Sequence, residues 1–167
     1  MASEIGAQTI QHTNGTDAMT IDSSGRVQMP QIPCCFVQLT TSNSQDTSNP
    51  YENEGYVIKF DKIVTNQGSC YSASTGNFTC PVAGVYEAST TIMTFNSGTE
   101  NNQIHILKNS STVASGYNSV DNQHVPMTAS VILDCAANDT ISVQHANGKI
   151  YIDANGFYSM FTVKLLG

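Results

Sequence analysis

The sequence predicts an all-β protein: a two-sheet jelly-roll sandwich of about ten antiparallel strands, preceded by an extended N-terminal arm. Three observations predict this fold. Apolar residues alternate with polar ones in several short runs, turn-forming residues separate the runs, and no stretch keeps an apolar period of 3.6 residues. Apolar residues make up 40% of the chain and charged residues only 11%, a balance that suits short strands joined by polar turns.

The alternation is clearest in the second half of the chain. One long strand is predicted where Tyr86, Ala88, Thr90 and Ile92 share a face. Further strands are predicted around residues 125–134, 141–145 and 157–165 by the same period of two. The dipeptides at 147–148 and 155–156 are both Asn-Gly, the preferred pair for a two-residue type I′ turn, and they predict two β-hairpins.

Two regions of the chain differ in amino-acid composition. Residues 1–32 are polar and contain few large apolar side chains, so they cannot bury a core of their own. We therefore predict an N-terminal arm or anchor over residues 1–32, with Met19, Ile21 and Val27 as its anchoring contacts. Residues 33–167 carry the strand pattern and are predicted to form the globular head.

Charge and hydropathy exclude several classes of function. The formal net charge is -7 with only six Lys and Arg residues, so there is no basic stripe to neutralise phosphates, and we expect no nucleic-acid partner. No apolar run approaches the roughly 20 residues of a membrane helix, and we expect no membrane insertion. The first residues have neither a basic nor an apolar signal region, so we expect cytoplasmic synthesis or a mature chain without a leader.

The sequence offers little that predicts catalysis or metal binding. Its five cysteines include no Cys-x-x-Cys pair, so we expect buried thiols used as small apolar residues. Cys34 and Cys35 are adjacent and must point to opposite faces of a strand. No Gly-x-Ser-x-Gly elbow occurs, and no histidine has a partner at catalytic spacing. We predict no enzyme activity, no catalytic residues and no metal ligands.

One spaced set of residues carries a family resemblance. It consists of Phe60, Asn66, Tyr71, Phe78, Gly84 and Tyr86, with Phe161 in the last strand. In type and spacing this set resembles the signature of the complement component 1q globular head, which has a jelly roll like that of tumour necrosis factor. The chain departs from that pattern at Ala88 and Thr90, where the family has aromatic residues.

The resemblance implies a homotrimer and a binding or structural module rather than an enzyme. Some members of the family hold calcium near the three-fold axis, so calcium is the one cofactor that the resemblance leaves open. No oxygen-rich loop of the calcium type occurs around the available carboxylates. These are Asp121, Asp134, Asp139 and Asp153.

Residues 12–27 resemble the leader of bacteriophage structural proteins. From them we expect a trimeric protein on the virion surface, made in the host cytoplasm and held by its arm to other virion proteins. It would be a tail-fibre or receptor-binding tip, or a capsid decoration protein. The alternative is a secreted, lectin-like recognition module of the complement component 1q family. In either case Tyr51 and Tyr117, in polar loops, are the candidate contacts to a host-surface glycan or protein.

Overall fold

The computed structural model describes residues 6–29, 31–40, 54–95, 99–121 and 124–167. The chain divides into two compact units, Met1–Ile32 and Pro33–Gly167. The described residues form strands and turns, and none of them belongs to a helix long and apolar enough to cross a membrane.

The N-terminal unit is a three-stranded antiparallel meander rather than a simply extended arm. Its strands are β1 (Thr9–Gln11), β2 (Asp17–Ile21) and β3 (Val27–Gln28), in the order β1-β2-β3. Asp22 closes the second turn, because its carboxylate accepts bonds from the backbone N of Arg26 at 3.0 Å and from Arg26 Nε at 2.7 Å. Local hydrogen bonding of this kind forms a turn without needing a core.

The large apolar side chains of the meander fall on one face. Ile10 lies opposite Met19, and Ile21 lies opposite Val27. Because Met19 and Ile21 are two residues apart on β2, all four side chains point to the same side. Ile10 and Val27 are each more than half exposed. We call these four residues the apolar face of the meander; its three short strands enclose no core.

The second unit contains the remaining strands. Their order along the chain begins with β4 (Cys34–Gln38), β5 (Tyr56–Val57), β6 (Lys62–Gln67), β7 (Tyr71–Ser72), β8 (Asn77–Thr79) and β9 (Gly84–Met93). It continues with β10 (Thr99–Lys108), β11 (Ser111–Asp121), β12 (Pro126–Cys135), β13 (Thr140–Asn147) and β14 (Met160–Leu165).

These strands form two antiparallel sheets. The order of the five-stranded sheet is β12-β9-β14-β4-β6, and that of the six-stranded sheet is β11-β10-β13-β8-β7, with β5 paired to β13. The predicted two-sheet jelly roll of antiparallel strands is therefore confirmed. It contains eleven described strands rather than about ten, because the segment between β4 and β9 folds into several two- to six-residue strands.

The predicted alternation along β9 is confirmed residue by residue. Tyr86, Ala88, Thr90 and Ile92 are buried, whereas the residues between them are only partly so. Alternation arises because successive side chains of a strand point to opposite faces. The inward faces of the two sheets meet in one core. Its largest fully buried side chains are Tyr86, Phe60, Phe78, Phe161, Leu39, Ile58, Ile92, Ile104, Ile106, Ile141 and Ile150.

The two predicted Asn-Gly hairpins are wrong. A type I′ turn needs positive φ at both central residues, but of these pairs only Gly148 (φ 88°) and Gly156 (φ 75°) have it. After Gly148 the chain leaves β13 and crosses to the other sheet, where Ile150 bridges to Thr94. Gly156 instead ends a turn in which its backbone N donates to Asp153 O at 2.8 Å.

Candidate recognition and assembly surfaces

The aromatic residues of the spaced set lie in the core. The rings of Phe60 and Phe161 stack at 5.7 Å between centroids, and Tyr71 meets Phe161 edge-on at 6.4 Å. Phe78 and Tyr86 form a second edge-on pair at 6.0 Å. Each of the five is less than 5% exposed. They hold the two sheets together and are not available to a ligand.

Asn66 and Tyr71 form the polar part of the set. Asn66 Nδ2 donates to Tyr71 O at 2.9 Å, and Tyr71 N donates to Asn66 Oδ1 at the same distance. The Tyr71 hydroxyl donates to Phe60 O at 3.1 Å, and burial raises the pKa of this phenol. Both residues therefore fix the backbone around β6 and β7, and neither offers a reactive group to solvent.

Gly84 marks the end of the sandwich at which the chain terminates. A Cβ at this position would lie 2.8 Å from Leu165 Cδ1 and 2.9 Å from Gly167 O. The next residue, Val85, donates its backbone N to Gly167 O at 2.8 Å. Since β9 runs from Gly84 to Met93, Met93 lies at the opposite end, about 30 Å away by the rise of a strand.

At that opposite end lies an aromatic cluster formed by Phe95, His124, Tyr151 and Tyr158. The His124 ring lies 5.1 Å from both Phe95 and Tyr151 between centroids. Tyr151 is also 6.4 Å from Phe95 and 6.4 Å from Tyr158. His124 is anchored through Nδ1, which is 3.0 Å from Thr94 O. The cluster lies outside the buried core, and Tyr158 is 47% exposed.

A shallow cavity of about 330 Å³ opens beside the cluster, lined by Met93, His124, Tyr151 and Tyr158. Its volume lies at the small end of the range for ligand pockets. Ring faces, an imidazole and two phenol hydroxyls are groups that stack on apolar faces and hydrogen-bond to hydroxyls. The arrangement is suited to binding a small polar molecule and contains no nucleophile paired with a base.

Tyr117, one of the two predicted glycan contacts, is exposed on β11. It is 62% exposed, and its hydroxyl donates to Asn101 Oδ1 at 2.9 Å. Asn101 O lies beside Gly148, close to where the chain crosses toward Tyr151, so Tyr117 lies toward the same end of the sandwich as the cluster. Tyr51 lies outside the described residues, so its role stays a prediction.

The five-stranded sheet turns its other side away from the core. We call this side the outer face, and its central residues are mostly small hydroxyl side chains on β9, β12 and β14. Its cross-strand rows are Thr128–Thr91–Met160, Ser130–Ser89–Thr162–Phe36 and Ile132–Glu87–Lys164–Cys34.

The outer face carries little net charge and some exposed apolar surface. The charged residues of its three rows, Glu87 and Lys164, form an ion pair with each other at 2.8 Å. Ile132 is 65% exposed, and it borders a shallow depression of about 390 Å³ with Glu87, Ser130 and Val131. Paired charges and exposed apolar groups are features of the central part of a protein–protein interface.

Carboxylates do not converge on a metal site within the described part of the chain, where no group of three or more His, Cys, Asp or Glu residues is placed to hold an ion. The Asp139 carboxylate forms an ion pair with Lys108 Nζ at 3.0 Å and accepts a hydrogen bond from Asn109 Nδ2 at 2.7 Å. Asp153 caps its own turn by accepting from the backbone N of Phe157 at 3.1 Å. These two carboxylates stabilise loops.

Sequence reasoning missed the aromatic cluster. Its members are separated by 29, 27 and 7 positions along the chain, so no motif or period relates them. They meet because the bridge between Thr94 and Ile150 brings the end of β9 beside the crossing segment. The last strand, predicted around residues 157–165, begins only at Met160. Phe157 therefore lies outside it and is 64% exposed beside Lys62.

Comparison with known proteins decides the family. The family model described as the C1q domain matches residues 40–166, more than half of the chain. The chain belongs to the C1q domain family. The match covers the jelly roll from just after β4 to the end of β14, and the meander precedes it in the sequence.

Individual proteins agree with this assignment. The chain is 32% identical to a subunit of the complement C1q subcomponent of Mus musculus over 124 residues, which are 72% of this chain and 48% of that protein. It is 30% identical to complement C1q and tumor necrosis factor-related protein 9 of Mus musculus over 102 residues, 61% of this chain and 29% of that protein. The chain thus spans half or less of the length of these curated relatives.

Solved structures support the fold. The globular domain of zebrafish complement 1qA protein superposes with a TM-score of 0.64 at 13% identity, covering 81% of this chain and 98% of that domain. The Eiger TNF of S. frugiperda gives a TM-score of 0.60 at 12% identity, covering 82% of this chain and 94% of the other. The resemblance to the tumour-necrosis-factor jelly roll is therefore confirmed for the C1q domain.

These relatives contradict the bacteriophage interpretation. They are complement C1q and C1q/TNF-related proteins of mouse and human, so the expected virion structural role, tail-fibre or capsid position and virion-surface location are wrong. The expectation rested on residues 12–27, a short polar segment that lies outside the matched span. Gly, Asn, Asp and Ser recur wherever a chain turns, so a resemblance based on such residues is less specific than the spaced set in the head.

Proposed function

We propose that this C1q domain is an extracellular, non-enzymatic recognition module that acts as a homotrimer. The observation that carries the recognition role is the aromatic cluster of Phe95, His124, Tyr151 and Tyr158 at the end of the sandwich away from the chain terminus. A ligand held there would be bound at the end of the sandwich opposite to Gly84 and Gly167. The family of the relatives supports an extracellular location over a virion.

The chemistry of the cluster favours a neutral glycan. Tyrosine rings stack on the apolar faces of sugar rings, and their hydroxyls bond to sugar hydroxyls. The net charge of -7 disfavours anionic ligands such as nucleic acids or sulfated chains. Tyr117, at the same end, provides a second aromatic platform, and Asn101 orients its hydroxyl.

A panel of immobilised neutral glycans tests the recognition site. We expect at least one glycan to be retained by the wild-type protein and its affinity to fall about tenfold or more in Tyr151→Ala/Tyr158→Ala, since stacked rings contribute on the order of 1 kcal/mol each. The matched control is Tyr56→Ala, which removes a 53% exposed tyrosine from β5, the strand paired with β13 of the six-stranded sheet. This variant should bind the glycan as the wild type does. Equal loss in both variants, or no retained glycan, would contradict the proposal.

The outer face is the surface that we assign to the trimer. A closed three-fold assembly needs each protomer to present a surface with few unpaired charges to its neighbour. The outer face fits because Glu87 neutralises Lys164 and the middle row consists of small hydroxyls and Phe36. The exposed Ile132 would be covered in the trimer.

Sedimentation equilibrium tests this assembly. The wild-type protein should sediment as three copies of the 17.9 kDa chain at micromolar concentration. Ile132→Glu should shift the mass toward one copy, because it forces an unpaired charge into the interface. The control Val113→Glu changes a partly exposed apolar residue of the other sheet and should remain trimeric. A wild-type monomer would overturn the proposal.

The apolar face of the meander is the second surface that we assign to contacts between copies. A trimer ties three identical N-terminal segments together, at high effective concentration. Three such sheets can cover their apolar faces against one another. Of the charges in the described part of this segment, Asp22 and Arg26 neutralise each other at 2.7 Å, and the Asp17 carboxylate accepts a hydrogen bond from Gln11 Nε2. Met19, Ile21 and Val27 thus become contacts between copies rather than a virion anchor.

A further inference from the structure

Two of the five cysteines lie near each other in the core. The thiols of Cys80 and Cys135 are close enough for each to shift the pKa of the other. Both are almost fully buried, at 0% and 2% exposure, and both belong to the core. They are 55 positions apart in the sequence, so their proximity is produced by the fold and not by local chain geometry.

The backbone around the pair is tightly held on both sides. Cys80 N donates to Asp139 O at 2.8 Å, and Asn138 N donates to Cys80 O at 2.7 Å. Cys135 is the last residue of β12 and lies opposite Gly84 at the start of β9. The turn that follows Cys135 is thus bonded directly to the segment that carries Cys80. Two cysteines on rigid, adjacent segments meet the main requirement for a disulfide, which tolerates little backbone movement.

The other cysteines are arranged differently. Cys35 lies opposite Val163 on the neighbouring strand β14. Cys34, the adjacent residue, points to the outer face and is half-buried. Cys70 lies near the turn at Gly68, where a Cβ on the glycine would come 3.1 Å from the Cys70 Sγ. These three thiols provide internal controls for any experiment on the pair of Cys80 and Cys135.

We propose that Cys80 and Cys135 form a disulfide when the chain folds in an oxidising solution. The oxidant is a disulfide of the glutathione class. One cysteine thiolate attacks it and forms a mixed disulfide, releasing one thiol of the oxidant; the second cysteine then attacks the mixed disulfide and releases the other. The protein loses two protons and two electrons, the oxidant becomes two thiols, and the new bond ties the β8–β9 segment to the end of β12.

The bond should form during folding rather than afterwards. Burial raises the pKa of Cys80 to about 12 and also raises the pKa of Cys135. In the folded, reduced protein both sulfurs are therefore protonated and shielded, and a thiol reacts with disulfides only as its thiolate. In the unfolded chain both are accessible, and the pair closes as the two segments meet.

The test compares two samples of the full chain. One is refolded from denaturant with a mixture of reduced and oxidised glutathione; the other is folded fully reduced and then exposed to the same mixture. After denaturation and alkylation, the first sample should have three alkylated cysteines, and peptide mapping should join Cys80 to Cys135. The second should have five over the same time. A bonded sample should unfold roughly 5–10 °C higher than the reduced one.

Variants make the assignment specific. Cys135→Ala refolded with the glutathione mixture should lose the bond and the thermal shift, whereas Cys70→Ala should keep both. Five alkylated cysteines in the refolded wild-type protein, or a bond joining Cys70 to Cys34 or Cys35, would overturn the proposal. Because the wild-type protein gives the primary readout, the result does not depend on the folding of a variant. It is also independent of the proposed recognition role.

Discussion

Gly76 illustrates the constraint that a tight turn places on one residue. Its φ is +78°, and a Cβ there would lie 2.6 Å from Ile58 O and 2.7 Å from Val57 Cγ1. A backbone oxygen cannot move aside as a flexible side chain can, so only glycine fits between β7 and β8. No local pattern around Gly76 indicates the approach of Ile58, which is 18 positions away in the sequence.

Alanine substitutions at two glycines separate the free-energy cost of positive φ from the cost of the steric clash. Gly76→Ala should destabilise the protein by about 2–4 kcal/mol, from positive φ and the clash together. Gly55→Ala should cost only about 1 kcal/mol, because Gly55 has a φ of +80° but no described atom within 4 Å of the added Cβ. Chemical denaturation measures both. Similar losses in the two variants would mean that the contact with Ile58 is relieved at little cost.

Asp139 should make the stability of the head depend on pH in the acid range. Hydrogen bonds from Asn109 Nδ2 and the Ala136 backbone N, together with Lys108, lower the pKa of Asp139 to about 2 from a reference of 3.8. A lowered folded pKa means that this stability is present above about pH 4 and is lost as the pH falls toward 2. The melting temperature of Asp139→Asn should therefore change less between pH 4 and pH 2 than that of the wild type.

The matched control for this measurement is Asp134→Asn. Asp134 lies near the same lysine, whose Nζ donates to Asp134 O at 2.7 Å, so the exchange leaves that backbone contact in place. We expect the acid profile of Asp134→Asn to follow the wild type. An Asp139→Asn profile as steep as the wild type would show that other carboxylates govern acid unfolding.

At the scale of strands, long runs of alternating apolar and polar residues predicted the strands correctly. β9 and β12 appear where period two placed them, since each has one face in the core along its whole length. The Asn-Gly signals failed because turn type depends on which strands flank the turn. After Gly148, backbone bonds from Tyr151 N to Met93 O and from Phe95 N to Lys149 O connect the chain to the other sheet.

The meander offers a test within one strand. Ile21 and Thr20 are neighbours on β2 and point to opposite faces. In the 167-residue chain, Ile21→Glu should make residues 6–29 cleavable by a nonspecific protease at least about tenfold faster, because it places a charge in the proposed contact between copies. Thr20→Glu should leave the rate nearly unchanged.

Two outcomes would contradict the meander contact. One is rapid cleavage of this segment in the wild-type protein, which would mean that its apolar face is not covered in solution. The other is equal acceleration by Ile21→Glu and Thr20→Glu, which would indicate a general effect of charge. In both cases the mass of the intact protein, measured in parallel, reports separately on the outer face.

At the scale of the whole molecule, the head should be self-sufficient. The core lies within residues 33–167, and the strands that enclose it are all in the second unit. A chain of residues 33–167 should therefore fold cooperatively, with a melting temperature within a few degrees of the full chain. Circular dichroism and thermal unfolding measure this. A non-cooperative transition would mean that the meander contributes to the stability of the head.

The sequence alone determined the fold and family of the head. Four of its six spaced residues, Phe60, Tyr71, Phe78 and Tyr86, are core residues. Core side chains must match a particular strand geometry in size and spacing, so they leave a readable pattern. The same reasoning put Cys34 and Cys35 on opposite faces of a strand, but only the structure shows that Cys35 is the buried one and Cys34 the half-buried one.

Only the tertiary structure decided the surfaces. The aromatic cluster, the outer face and the pair of Cys80 and Cys135 join residues that are far apart in sequence. Such contacts depend on which strands pair and where the chain crosses between sheets, and long-range pairing leaves no local periodicity. The physical reason is that core positions are constrained by secondary structure, whereas surface sites arise from the way distant segments are brought together.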